Sequence, residues 1–333
     1  MTPALLAPSR PRVAPPEDAT RREFITGVGA AALAAAFLAA CGGEDEAPSP
    51  TPDSMIDFTY EDITTRVPRN PKRVVVMEGR GDLDFALSVG YPVIAAGTWT
   101  PGEVGPPFVG RLDDAELLPA MYPEADYETL VRLQPDLIVQ RANAFRGDFY
   151  GNERLAEIAP VLSVECNRAD WRTDLEAQAR LLDRDQAVAE QLATYDAAVA
   201  AAKEEVGGIL AGHTVALITI SPESALVWTS DFATEVAHDL GMELPFRNSG
   251  QEETNSYLEL SAEHWDQLDG IDLIFAQGLE DSRDGLGSVG TWTRLPAVAA
   301  GRVVNFPGEL NNGMALTATT LVDVLAEGAR LLA

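Results

Sequence analysis

The sequence predicts an α/β protein of two Rossmann-like lobes joined by one long α-helix, with a ligand cleft between the lobes. Three observations lead there. Short runs of continuous apolar residues alternate with helical stretches from Lys72 to Val164, and the alternation restarts from Thr214. Between the two blocks, Asp185 to Val206 contains no Gly or Pro. One phrase, a short helix running into a buried strand, occurs once in each half: YETLVRLQPDLIVQ (Tyr127–Gln140) and AEHWDQLDGIDLIFAQ (Ala262–Gln277).

The first residues are read before the fold. Thr20 to Cys41 has a charged start, an apolar run and a small-residue end, the pattern of an export signal. Arg21 and Arg22 followed by Phe24 resemble a twin-arginine signal. Leu38-Ala39-Ala40-Cys41 resembles a lipobox in which Cys41 becomes the acylated first mature residue. Residues 1–40 are therefore expected to be a lipoprotein signal peptide. The apolar run from Gly27 to Ala40 is 14 residues, short of the roughly 20 needed to span a bilayer. Residues 41–56, rich in Gly, Pro, Ser and acids, bury too little to fold and read as a flexible tether.

A first lobe is expected over residues 57–184. RVVVM (73–77), the helical stretch 82–90 and PVIAA (92–96) form a strand-helix-strand unit, which implies parallel pairing. After the irregular stretch 97–107 come helix 127–134, strand 136–140, helix 152–158 and strand 161–164. In the connecting segment 185–206, Val188, Leu192, Tyr195, Val199 and Val206 fall on one stripe at helical spacing. The second lobe, 207–333, supplies TVALITI (214–220), a short strand 225–229, helices 232–240 and 261–268, strand 271–276, helix 291–299, RVVNF (302–306) and a closing helix 314–332.

Several function classes are excluded or disfavoured. The net charge of −28 argues against nucleic acid and anionic membrane partners. The only other cysteine is Cys166, so an acylated Cys41 leaves no intramolecular disulfide. His213, His238 and His264 lie in unrelated contexts, which argues against an imidazole-built metal site. GLGSVG (285–290) matches a dinucleotide fingerprint but begins well after its strand and near the C-terminus, so it reads as a chance match. No nucleophile elbow or Walker loop occurs. No catalytic residue, resident cofactor or metal is expected.

An exported lipoprotein with two α/β lobes on a helical strut resembles the helical-backbone class of substrate-binding proteins of ABC importers. The likeness is carried by NPKRVVVM, LDFALSVGYPVIAAG, YETLVRLQPDLIV, LDGIDLIFA and TWTRLPAVAAGRVVNF. It implies a monomeric, lipid-anchored solute-binding protein outside the cytoplasmic membrane. Its cargo would be a ferric siderophore, with cobalamin or haem as the alternative; an exported oxidoreductase is the reading from a different class. It further implies that Glu128 and Glu263 dock on arginine pockets of the permease dimer. Helix-start electrostatics alone also account for each glutamate, because Asp126 and Ser261 read as N-caps.

Ligands of open α/β sheets bind beyond the carboxyl ends of the strands. That rule nominates Arg80, Trp99 and Arg141 in the first lobe and Trp228, Gln277, Trp292 or Arg247 in the second. Arg and Trp suit the oxygens and the body of an iron chelate. The other reading leaves the tryptophans as core and the arginines as solvated surface. In the repeated phrase, Arg141 is expected at the cleft and Glu128, at the helix start, at the opposite end of the element.

Overall fold

A computed structural model describes residues 54–333 except 99, 101, 120–124, 167 and 250–255. The chain opens on an antiparallel hairpin, β1 (Met55–Tyr60) and β2 (Ile63–Pro68), turned at Glu61 with a left-handed φ of 51°. The sequence analysis did not foresee this hairpin, and its first two residues lie inside the stretch read as tether. Thr65 Oγ1 donates to Val161 O at 2.9 Å and fastens the hairpin to the first lobe.

The elements of that lobe are β3 (Val74–Val76), α1 (Gly81–Ser88), β4 (Val93–Gly97), β5 (Glu116–Leu118), α2 (Tyr127–Leu133), β6 (Leu137–Arg141), α3 (Ala142–Arg146), α4 (Asn152–Ile158), β7 (Val161–Val164) and α5 (Trp171–Leu181). Its sheet is fully parallel in the order β5-β4-β3-β6-β7. The strand order reverses between β3 and β6. Val74, Val76, Leu137 and Val139 face one core, and Val75, Met77 and Ile138 face another. Burial on both faces is why RVVVM and LIV read as unbroken apolar runs.

Helix α6 (Asp185–Leu210) is 26 residues, four beyond the expected end at Val206. Gly207 and Gly208 did not stop it; each sits where an added Cβ would meet open space. At 1.5 Å per residue it is roughly 39 Å long. Val188, Leu192, Tyr195 and Val206 form its buried stripe. It is tied to both lobes: Arg172 of α5 pairs with Asp196 at 2.7 Å, and Tyr195 OH donates to Asp239 at 2.8 Å. Among the described residues, no helix is long and apolar enough to cross a membrane.

The second lobe contains β8 (Val215–Ile220), β9 (Ser224–Trp228), α7 (Phe232–Asp239), β10 (Tyr257–Ser261), β11 (Leu273–Gln277), α8 (Leu279–Leu286), α9 (Gly290–Thr293), α10 (Pro296–Ala299), β12 (Val303–Asn305) and α11 (Ala315–Ala329). Its sheet order is β10-β9-β8-β11-β12. Strands β8, β11 and β12 are parallel, but β9 and β10 run antiparallel to their neighbours. The reason is local: Ser221 N donates to Ser224 O at 2.9 Å, turning β8 straight back into β9 with no crossover helix.

Two expected helices differ in detail. The stretch 291–299 is broken into α9 and α10 at Leu295-Pro296, because proline cannot continue a helix that needs its N–H. The stretch from Ala262 to Leu268 is 3-10 turns, with His264 non-helical. Ser261 does not cap it by a side-chain bond to the backbone; its Oγ meets His264 Nδ1 at 2.9 Å.

The largest core belongs to both lobes. Val76, Leu83 and Phe85 from one, and Leu217, Phe275 and Phe306 from the other, pack in one cluster with α6 and α11. Asp84 of α1, fully buried, accepts the N–H of Met314, Leu316 and Thr317 at 2.7, 3.1 and 2.8 Å. The closing helix thus takes its N-terminal cap from the opposite lobe, and no side-chain cap is supplied by its own Met314.

Candidate ligand cleft

The ends of β3 and β6 flank the reversal point of the first sheet, where an open α/β sheet forms its ligand crevice. Just past β3 stand Glu78, Gly79 and Arg80; β6 ends at Arg141. Glu78 Oε1 accepts from Arg80 Nη2 at 2.5 Å and Nε at 3.0 Å, and Glu78 also pairs with Arg141 Nε. All three side chains are about nine-tenths buried. Burial works against the Arg141 cation, and the neighbouring carboxylate of Glu78 holds its pKa above the usual value nonetheless.

Behind this triad Asp82, fully buried, accepts the backbone N–H of Glu78 at 2.9 Å, Arg80 at 3.2 Å and Leu83 at 3.0 Å. Desolvation, reinforced by the Glu78 charge, pushes its pKa up to about 6. Gly79 has φ +82°, and a Cβ there would sit 1.9 Å from Gly97 O, so only glycine lets the ends of β3 and β4 meet.

The second lobe answers from the end of β11. Gln277 Oε1 accepts from Asn311 Nδ2 at 2.9 Å, and Asn311 Oδ1 faces Arg80 Nη1 at 3.4 Å. A polar chain Gln277, Asn311, Arg80, Glu78, Arg141 therefore crosses from one sheet to the other. Beside it lies a cavity of about 30 Å³ lined by Gly79, Thr98, Phe108, Leu112 and, from the opposite lobe, Glu309.

The nominated residues divide. Arg80, Arg141 and Gln277 converge at the cleft. Trp99 lies outside the described residues, as do Arg21, Arg22 and Cys41. Trp228 ends a strand that is antiparallel, so the strand-end rule does not apply to it; its indole is 7% exposed, donates to Thr219 Oγ1 at 3.1 Å and packs edge-on against Phe306. Trp292 is core: it is 5% exposed and packs edge-on against buried Trp265, ring centroids 5.7 Å apart, in the cluster that also holds Ile218 and Ile274 of β8 and β11. Arg247 is held by Glu235 of α7 at 2.8 Å. Glu78, Asp82, Asn311 and Glu309 were missed. Glu78 had a signal, since it directly follows the buried strand; Asn311 sits in an aperiodic stretch that offers none.

Glu128 is exposed in the first turn of α2, whose cap Asp126 accepts from Thr129 N at 3.0 Å. Glu263 is exposed at the matching place before β11. Neither enters an ion pair among the described residues. The expectation that Glu128 and Arg141 lie at opposite ends is corrected by the chain reversal at Gln134 (φ 45°) and Pro135, which lays α2 antiparallel to β6. Helix start and strand end then share one edge of the lobe. Tyr127 OH, donating at 2.7 Å to Tyr150 O beyond β6, marks that edge.

Other chemistry is accounted for structurally. Glu61, Asp62 and Glu165 lie close enough to hold a cation, but Arg146 already pairs with all three. Gly285 sits inside α8, against Pro222, so GLGSVG forms no strand-to-helix phosphate loop. Cys166 is buried, and desolvation raises its thiol pKa.

Two lobes on a helical strut, meeting at a polar cleft at their sheet reversal points, define a two-lobed solute-binding protein. The chain belongs to the periplasmic binding protein family, whose model matches residues 74–310. It is 27% identical to the iron(3+)-hydroxamate-binding protein FhuD of Bacillus subtilis, over 82% of this chain and 87% of that one. It is also 27% identical to the probable siderophore-binding lipoprotein YfiY of Bacillus subtilis, over 64% of this chain and 65% of that one. Among solved structures, Staphylococcus aureus SirA complexed with staphyloferrin B shares the fold, with a TM-score of 0.64 at 22% identity, covering 82% of this chain and 98% of that one.

Proposed function

We propose that this protein captures a ferric siderophore outside the cytoplasmic membrane and delivers it to an ABC permease, without turnover. The observation that carries the reading is the polar chain from Gln277 through Asn311 to Arg80, Glu78 and Arg141, which presents guanidinium and amide donors from both lobes to one cleft. Iron arrives already chelated, so the protein needs oxygen-binding donors and no metal ligands of its own. The relatives that bind iron chelates support the same cargo.

In this reading Cys41 carries the lipid anchor, after export directed by Arg21 and Arg22, and the segment read as the 41–56 tether, less the two residues that open β1, links that anchor to the folded lobes of a monomer. The lipoprotein relative supports the anchor. Residues 57–184 and 207–333 act as the two cargo-gripping lobes, and Glu128 and Glu263 give register on the permease.

The test is titration of the purified chain with ferrioxamine B, ferrichrome, ferric enterobactin, cobalamin and haem, following tryptophan fluorescence. Saturable quenching by an iron chelate is expected. Response to cobalamin or haem alone, or to nothing, overturns the reading. Replacing Cys41 by Ser is expected to release the protein from the membrane fraction.

A further inference from the structure

We infer that Asp82 is a positioning residue for cargo capture: its buried carboxylate holds the turn Glu78-Gly79-Arg80 in the shape that lines the cleft, and cargo affinity follows its charge. The inference rests on the proposed capture of an iron chelate and adds a residue that acts through its neighbours. The two oxygens of Asp82 grip the turn on both sides of Gly79. Oδ2 accepts the N–H of Glu78 at 2.9 Å, and Oδ1 accepts those of Arg80 at 3.2 Å and Leu83 at 3.0 Å. Gly79 itself is left-handed, and a Cβ on Gly79 or on facing Gly97 would strike the other strand's backbone. The apex of the turn thus has no side chain to anchor it, and its shape is set by the partners of the flanking N–H groups. Gly79 and Gly97 both line the cavity, and Glu78 joins Arg80 to Arg141. Moving the turn moves the cleft wall and Glu78 together.

A helix cap accounts for only part of this arrangement. The N-cap of α1, Arg80, supplies no side-chain cap, and the bond from Leu83 N to Asp82 serves that end of the helix. The N–H of Glu78 lies outside the helix, and capping needs no bond to it. Asp82 is fully buried, and desolvation and the Glu78 charge push its pKa up to about 6 against the opposing pull of Arg141. The ionised carboxylate binds its three donors more strongly than the protonated one, so the turn is tightest above that pH and slackens below it.

Among the described residues, the charged and titratable groups that act on Asp82 or feel its charge are Glu78 and Arg80 on the turn, Arg141 at the end of β6, Tyr150 ahead of α4 and Cys166 beyond β7. The arginines stay charged, and burial raises the Tyr150 hydroxyl and the Cys166 thiol further from neutrality. Stability and affinity then respond to Asp82 with opposite signs. A carboxyl whose folded pKa is raised stabilises the fold below its unfolded pKa and loses that contribution as pH rises through about 6. Cargo affinity rises over the same interval. A residue that only supported the fold would move both in one direction.

The test titrates the purified chain with ferrichrome, or with ferric enterobactin where ferrichrome is silent, between pH 5 and pH 7.5, following tryptophan fluorescence. Wild type is compared with Asp82→Asn, which keeps the shape and Glu78 but removes the charge; the difference between the two profiles cancels titration of the chelate. Wild-type affinity is expected to fall about fivefold to tenfold from pH 7.5 to pH 5. Asp82→Asn is expected to bind at pH 7.5 at least as weakly as the wild type at pH 5, with that fall removed from its profile. Parallel profiles for the two folded proteins, or a wild-type affinity that rises toward pH 5 relative to the variant, overturn the inference and leave the siderophore reading standing. Silence toward every chelate defeats that reading and this inference with it. Should Asp82→Asn not fold, the wild-type amide proton resonances of Glu78, Arg80 and Leu83 decide: they are expected to titrate together at the midpoint of the affinity change, and separate midpoints overturn the assignment.

Discussion

The carboxylate of Asp84, in α1 of the first lobe, accepts the backbone N–H of Met314 at 2.7 Å, at the start of α11 in the second lobe. With Leu316 and Thr317 also donating to it, three of the four orphan donors that open a helix are satisfied from across the lobe boundary. Removing the carboxylate leaves buried N–H groups without partners. Asp84→Ala is expected to lower stability by roughly 3 kcal/mol or more, and Asp84→Asn by less, since one acceptor oxygen remains. Chemical denaturation measures both; a cost below about 1 kcal/mol for the alanine variant refutes the cap.

Asp231 predicts a pH response. It is half-buried while capping α7, accepting from Thr234 N at 2.9 Å, and desolvation pushes its pKa up to about 6, above the usual carboxylate range. A carboxyl whose folded pKa lies above its unfolded one binds its proton more tightly when folded. Its contribution to stability is therefore full below about pH 4 and is lost as pH rises through about 6. Asp231→Asn preserves the cap and removes the titration. The difference in stability between pH 5 and pH 7.5 should shrink by about 1–2 kcal/mol relative to wild type; an unchanged difference contradicts the assignment.

The docking proposal concerns two exposed carboxylates, so its signature is functional. Glu128→Ala together with Glu263→Ala should leave chelate affinity within about twofold and cost at most about 1 kcal/mol per site from the lost helix-start charge. Uptake by cells carrying the double variant should fall to background. Normal uptake, or lost chelate binding by the purified variant, defeats the proposal.

Trp292 separates a core role from a cargo role. Trp292→Phe leaves a void against Trp265 and should destabilise by roughly 1–3 kcal/mol, while chelate affinity stays unchanged. A tenfold loss of affinity in the folded variant would put Trp292 back in the cleft.

The sequence by itself determined the fold class, the central strands of both lobes and the strut. Those strands are buried on both faces, so their apolar runs are unbroken, and α6 shows its buried stripe at helical spacing. Arg80, Arg141 and Gln277 were legible because the position just beyond a buried strand is a local property of the chain. Tertiary structure alone decided the rest. Whether β9 returns as a hairpin depends on a turn closed by Ser221 and Ser224, not on its own apolar content. Trp292 was assigned by which side of the sheet its short helix covers. The ion pairs that make Glu78 the centre of the cleft join residues 63 positions apart in sequence to one beside it, and Asp84 reaches a helix 230 residues away. Periodicity reports which way one element faces; it carries no information about which partner stands opposite, and in this protein the cleft's charge is set by that partnership.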